Sequence, residues 1–258
     1  MSPAWKLITC GRPIAELAKT YPISSAGDGI RLEVPAGVAP PSAASQALLS
    51  AVAPEDLVGK RVLDLGCGSG YLGLGLLLRG AALLWGSDNS SAAVACARRM
   101  AGRNSCAERA FFRRADLFRE DPSGAPFDLV VTNPPRTPSG LIPADYAPRA
   151  AIDGGCWGDL FLLEIPRRAR AYLAPEGVVY MPVSNVANPA GVKGRIAASY
   201  RNWEVVAQWE YPLKGYWLER GDVLADLAAR GKAELLQRQG HPWGRVEILR
   251  CQFPKGRN

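Results

Sequence analysis

Histidine is nearly absent from this chain: His241, in "GHPWG", is the only one among 258 residues. Imidazole catalysis therefore has one candidate, and it sits in a turn. The six cysteines (Cys10, Cys67, Cys96, Cys106, Cys156 and Cys251) are scattered and form no CxxC pair. With one histidine they make a poor zinc framework, so no metal is expected and the thiols read as reduced fillers of small volumes. Also missing is any apolar run near the ~18 residues that span a bilayer, so no membrane partner is expected. The leading "MSPAWKLITCGRP" has neither a basic leader nor an apolar stretch of signal-peptide length, which makes the cytoplasm the expected location.

What remains is ordinary in bulk. The chain is 48% hydrophobic and 21% charged, typical of a soluble globular protein, and long enough for one well-buried core. Its formal charge is +7, from 31 basic and 24 acidic residues. That admits an RNA partner, but the basic residues are mostly spread out. Arg98, Arg99, Arg103, Arg109, Arg113 and Arg114 do cluster, on a predicted helix and the strand after it, and read as a solvated face. Nothing in the composition fixes an oligomeric state.

Patterning supplies the architecture. "PIAELAKTY" suggests a short helix, "GIRLEV" a short strand, and "PAGVAPPSAASQALL" a proline-stiffened turn entering a helix at Ser42 or Ser45. From Lys60 strands and helices alternate. "RVLDL", "ALLWGSD", "RAFFRRADLF", "FDLVVTN", "GVVYMPVSN", "NWEVVAQWEY" and "RVEILRCQF" are strands. "SGYLGLGLLLRG", "SSAAVACARRMAG" and "GDLFLLEIPRRARAYL" are helices, the first two stopped by Gly80 and Gly102. Such alternation implies an α/β fold, a largely parallel Rossmann-like sheet with helices on both faces. Residues 1–52 form an N-terminal extension expected to cover substrate or cofactor, and 53–258 the main domain. A helical insertion over about 212–244, with two stretches split by Gly231, precedes the last strand and is placed to cap a site.

"VLDLGCGSGYLG" carries the first functional signal. Gly68, Gly70 and Gly73 spell G-x-G-x-x-G, a weak dinucleotide pattern alone. The better parse starts at Asp64 and runs through Gly66, Cys67, Gly68 and Gly70. A carboxylate ends the strand, glycines let the backbone turn and approach a ligand, and the next helix presents free N–H groups. For a methyl donor such as S-adenosylmethionine, Asp64 is placed to receive the amino group of the methionine moiety. Asp88, with Asn89 beside it, ends the second strand where an acid commonly holds ribose hydroxyls. Asp116 follows the third strand toward the adenine amino group, and Leu117 would pack on the ring. Singly, Asp88 or Asp116 could equally be a helix cap or a solvent-facing turn.

With these motifs the chain resembles the class I S-adenosylmethionine-dependent methyltransferases over roughly residues 57–210. The resemblance implies a seven-stranded methyltransferase sheet with the last strand antiparallel, and an active site at the strands' carboxyl ends. Asn133-Pro134-Pro135 strengthens it. In methyltransferases with an Asn-Pro-Pro-aromatic motif, the asparagine oxygen and first proline carbonyl accept from a planar NH₂ group. Mapped here, these are Asn133 and Pro134. Holding both hydrogens helps localise the nitrogen lone pair toward the methyl, and positioning then supplies much of the acceleration. The alternative is that Asn-Pro-Pro merely ends a strand in a turn.

"PRAAIDGGCWGDLFLL", with Asp153-Gly154-Gly155 and Gly158, is similar to the segment after Asn-Pro-Pro-Tyr in the release-factor glutamine methyltransferases. "PAGVAPPSAAS" is similar to an upstream loop of that family in looser form. The departure is Arg136, which stands where the family has an aromatic residue. A planar, permanently charged guanidinium chelates carboxylate or phosphate, so Arg136 is expected to anchor an anionic group. It could instead stack on a conjugated acceptor or point to solvent. Trp157, Tyr216 and Trp217 are candidates for an acceptor pocket, with Trp243, although such aromatics more often glue an appendage to the core.

The reading is an N-methyltransferase of a small or peptide-like acceptor carrying an anionic group, such as a natural-product or amino-acid-like metabolite. Alternatives are a protein glutamine or RNA-base N-methyltransferase, a carboxylate O-methyltransferase, a non-catalytic cofactor-binding protein, and a NAD-linked dehydrogenase. Asp64 before the first glycine and the Asn-Pro-Pro turn count against the last.

Overall fold

The apolar strand residues alternate between two faces, as the two-residue period of a strand requires. Val62, Leu84, Leu129, Val131, Val178 and Tyr180 point to one side of the sheet, and Leu63, Leu65, Val130, Val179 and Met181 to the other. The computed structural model that shows this describes residues 20–22, 30–116 and 126–252.

Strands β1 (Thr20–Pro22) and β2 (Arg31–Glu33) form a small antiparallel hairpin. Thr20 and Tyr21 are thus in a strand, and the rest of the helix expected in "PIAELAKTY" lies outside the described residues. Helix α1 (Ala43–Ala51) starts at a capping box in which the Ser42 side chain accepts from the Ser45 N–H and Ser45 answers in kind. Then come β3 (Arg61–Leu65), α2 (Tyr71–Leu78), β4 (Leu83–Asp88), α3 (Ser91–Arg103), β5 (Ala110–Arg114) and β6 (Phe127–Thr132). Gly80 takes φ +112 after α2 as expected. Gly102 stays inside α3, and Ser105 takes the left-handed turn instead, at φ 55.

The second half contains α4 (Leu160–Arg168), β7 (Leu173–Ser184), α5 (Pro189–Ser199), β8 (Asn202–Pro212), α6 (Tyr216–Glu219), α7 (Gly221–Ala229), β9 (Leu236–Arg238) and β10 (His241–Gln252). Strands pair in the order β5-β4-β3-β6-β7-β10-β8, with β10 antiparallel to its neighbours. The expected seven-stranded path is therefore present, and β9 adds an eighth strand against β10. Helices α1, α2 and α3 cover one face, α4 and α5 the other. Leu48 and Leu49 of α1 are fully enclosed in the same core as α2, so the extension and the sheet share one interior at that point.

The insertion differs from its expected form. Its two helices part at Arg220, not Gly231. Gly231, at φ +66, ends α7, and the apolar stretch beyond it becomes β9. Gln239 and Gly240 both take positive φ, the requirement of a tight type I′ hairpin, so the last part of the insertion folds as sheet. A third core of Leu141, Val186, Leu213, Leu224 and Leu227 fastens α7 down. Among the described residues no helix is long and apolar enough to cross a membrane.

Candidate active site

Where the parallel strands end, their carboxyl termini leave a cavity of about 450 Å³. Asp64 and Leu65 reach it from β3, Ser87 and Asp88 from β4, Asp116 after β5, Asn133 to Arg136 after β6, and Ser184 from β7.

One end is the glycine loop. Gly66 and Gly68 take φ +75 and +53, and a Cβ on either would meet no protein atom within 4 Å. Both line the cavity, so the glycines keep that space open for a ligand. Cys67 lines it too. Gly70, at φ +82, does not: an added Cβ there would come within 3.0 Å of Ala97 Cβ, so its smallness serves the packing of α2 on α3. That corrects its expected place in the cofactor wall.

Asp64 is 1% exposed and accepts one hydrogen bond, from the Gly73 N–H at 3.0 Å. Burial, with Asp88 nearby, pushes its carboxyl up to about 7. Asp88 is held at both oxygens: Oδ2 accepts from the Gly68 N–H and Oδ1 from the Ser90 N–H, each at 2.9 Å. It also orients the loop, a role that the spacing did not reveal. Asn89 and Asp116 complete this end, and Leu117 lies outside the described residues.

The other end is built around Asn133. Its Nδ2 donates to Ser45 Oγ at 2.9 Å and Ser42 Oγ at 3.2 Å, both from the start of α1. Its Oδ1 accepts from Arg136 Nη1 at 2.7 Å. Of these three partners Arg136, which can only donate, fixes which amide atom is oxygen. Arg136 thus turns inward onto the asparagine and lines the cavity, and the solvent-facing alternative falls away. Pro134 is buried in the same wall beside Pro135.

Asp153-Gly154-Gly155 and Gly158 clamp this turn from outside. The Thr137 N–H donates to the Ile152 carbonyl and the Gly154 N–H to the Thr137 carbonyl, and Thr137 bridges Asp153 in parallel. A Cβ on Gly154 would lie 2.7 Å from Arg136 Cα, and one on Gly158 2.6 Å from its carbonyl oxygen. The glycines exist so that two backbones can touch.

The aromatic candidates separate. Trp217 lines the cavity. Tyr216 stacks on it at 5.4 Å and meets Tyr146 edge-on, outside the wall. Trp157 is 39% exposed with Lys232 Nζ over its ring at 4.3 Å, so it is a surface cation–π partner and not a pocket residue. Tyr211, missed in the sequence, is in the wall next to Arg136. Gly244, opposite it across β8 and β10, is the signal: a Cβ there would meet the Tyr211 ring at 2.5 Å. Arg98, Arg99, Arg103, Arg109 and Arg114 of the arginine cluster are exposed, as a solvated face requires, and four of them are also tied to neighbours. Arg98, Arg109 and Arg114 donate to the carbonyls of Phe112, Ala81 and Asn89, and Arg103 pairs with Glu33.

Residues 41–140 match the model of the methyltransferase small domain. The release factor glutamine methyltransferase of Gloeobacter violaceus is 32% identical over 174 residues, 64% of this chain and 60% of that protein. Ribosomal RNA small subunit methyltransferase C of Chromohalobacter salexigens is 42% identical over 93 residues, 36% of this chain and 26% of that protein. The chain thus spans less than two thirds of the length of these relatives. A 16S rRNA methyltransferase of T. thermophilus, solved with AdoMet and guanosine, superposes with a TM-score of 0.56 at 21% identity, over 86% of this chain and 47% of that one. Residues 41–140 are thus similar to a methyltransferase small domain, and the sheet as a whole shares its fold with the T. thermophilus enzyme.

Proposed function

We propose that the protein is an S-adenosylmethionine-dependent N-methyltransferase whose small or peptide-like acceptor presents a planar NH₂ group beside an anionic group. The observation that carries this reading is the juxtaposition of Asn133 Oδ1 and the Pro134 residue with the glycine loop in one cavity. The residues suit the cofactor. The two open glycines leave room for it, and Asp64 is a buried carboxylate whose neighbours are a backbone N–H and another acid, a site made for an ammonium group. When bound, S-adenosylmethionine supplies a methyl group on a sulfonium, electrophilic enough for a weak nitrogen nucleophile.

The chain's own work is orientation. Asp64 faces the ammonium. Asp88 has each oxygen fixed by one backbone N–H and a lone pair left for a ribose hydroxyl. Asn133 cannot rotate without leaving Ser42 and Ser45, so its oxygen stays presented as an acceptor with one lone pair on Arg136 and one for the substrate N–H. The same anchoring counts against carboxylate O-methylation, which would need the asparagine to donate. A retired, non-catalytic site has no use for an asparagine held at three points.

A second reading takes the NH₂ from a protein glutamine or an RNA base, and the names of the relatives favour it. The small acceptor rests on Arg136. Incubation of the purified protein with labelled S-adenosylmethionine and, separately, metabolite extract, total protein and total RNA decides between them. Label in metabolites supports the first reading, label in protein or RNA the second. Label nowhere, with S-adenosylhomocysteine still bound, sinks both.

A further inference from the structure

We propose that Arg136, Tyr211 and Ser184 form an oxyanion subsite at the acceptor end of the cavity, joined to the methyl-accepting position by the bond from Arg136 to Asn133. The inference rests on the N-methyltransferase reading and adds the chemistry and reach of the acceptor. It should carry a carboxylate or phosphate only a few bonds from the NH₂ group.

Charge in the cavity wall is segregated. Its acids, Asp64, Asp88 and Asp116, all stand at the ends of β3, β4 and β5. Among the described residues, Arg136 is the one cationic side chain in the wall, and it stands at the opposite end. No described carboxylate pairs with it; its one hydrogen bond goes to a neutral amide oxygen. A guanidinium carries five N–H donors, so four remain unspent. Arg136 is half-buried, burial works against its charge, and a cation there without a counter-charge gains when an anion joins it.

Two hydroxyls share this end. The Tyr211 ring lies across Gly244, which leaves the room that any side chain would fill. Burial raises the phenol above its ordinary range despite Arg136 nearby and a hydrogen bond with Ser184, so it keeps its proton. Ser184 is 3% exposed, and its oxygen receives the Val186 N–H at 3.4 Å; hydrogen-bonded to each other, the Ser184 and Tyr211 hydroxyls keep one proton to give an oxyanion. The guanidinium and the free proton of the Tyr211–Ser184 pair together offer an oxyanion donors with no competing carboxylate.

The geometry also limits distance. One guanidinium touches Asn133 Oδ1 at 2.7 Å and would touch the oxyanion at about 2.8 Å. The anionic group then lies within roughly 10 Å of the nitrogen that Asn133 holds.

The test uses the full chain saturated with S-adenosylhomocysteine, titrated calorimetrically with malonamate, its neutral diamide malonamide, and inorganic phosphate. Malonamate or phosphate should bind at least about tenfold more tightly than malonamide. Arg136→Ala should erase that preference, and Tyr211→Phe should weaken it severalfold. Arg230→Ala, an exposed arginine paired with Asp226, should leave it intact. Preference for malonamate over phosphate assigns a carboxylate acceptor, and the reverse a phosphorylated one. No anion preference in the wild type, or one that survives Arg136→Ala or is untouched by Tyr211→Phe, overturns the subsite. Failure of the wild type to bind S-adenosylhomocysteine overturns the methyltransferase reading instead, and is measured before any acceptor is added.

Discussion

The two ends of the cavity are built in different ways. The cofactor end comes from one stretch of chain, Asp64 to Ser90, in which a strand, a loop, a helix and a second strand supply nearly every contact. The acceptor end is assembled from pieces far apart: Ser42 and Ser45, Asn133 to Arg136, Ile152, Ser184, Tyr211 and Trp217. Local geometry dominates the first, and long-range packing the second. A change within the loop should therefore damage one function cleanly, while changes at the acceptor end should propagate between segments.

The largest separation should come from Asn133→Ala. It removes the acceptor oxygen and leaves the glycine loop alone, so turnover should fall by about 10²-fold or more while S-adenosylhomocysteine binding holds. Retained turnover would remove the assigned role. Gly66→Val is the converse. It forces a branched residue to φ +75 and points its side chain into the cavity, so calorimetry should find cofactor binding lost. Binding within a few fold of wild type would mean that the loop does not cradle the ligand.

Asp64 sharpens the comparison through pH. Burial raises it to about 7. Between its ordinary value of 3.8 and about 7 the folded protein keeps a proton that the unfolded chain has lost, so stability falls as pH rises through that window. Asp64→Asn should raise Tm at about pH 8 and leave it nearly unchanged at about pH 3. An ammonium ligand favours the ionised form, so S-adenosylhomocysteine should bind more tightly from about pH 6 to about pH 8, and the variant should show a flat profile. A flat wild-type profile would remove Asp64 from the ammonium site.

Smaller effects test the acceptor end. Ser42→Ala with Ser45→Ala frees the asparagine amide and should lower turnover roughly fivefold, the cost of about 1 kcal/mol of lost orientation, with cofactor affinity unchanged. Equal loss of both would mean that α1 serves the whole cavity. Trp157→Ala should leave both activities alone and cost at most about 1 kcal/mol of stability by thermal melting. A raised acceptor KM would return Trp157 to the pocket.

Much of the cofactor end was legible because its signals are contiguous. A strand ending in an acid, glycines at alternate positions and a helix start all fall within about ten residues. Even there the sequence could not separate Gly66 and Gly68, which open the cavity, from Gly70, which packs against Ala97 in another helix. At the acceptor end, Arg136 was visible as an oddity, but its bond to Asn133 was not. Tyr211 was hidden in an edge strand that reads as ordinary alternation. Only a glycine inside β10 marked the place where its ring crosses, and such a glycine gains meaning once the strand pairing is known.

By itself the sequence determined the alternating sheet, the loop, and the Asn-Pro-Pro turn, because each depends on spacing along the chain. Tertiary structure alone decided which way Arg136 points, which serines hold Asn133, and which aromatics reach the cavity. Those outcomes depend on the register of β10 between β7 and β8 and on the packing of α1 over the sheet. Such contacts join residues more than ninety positions apart, and no local period in the chain encodes them.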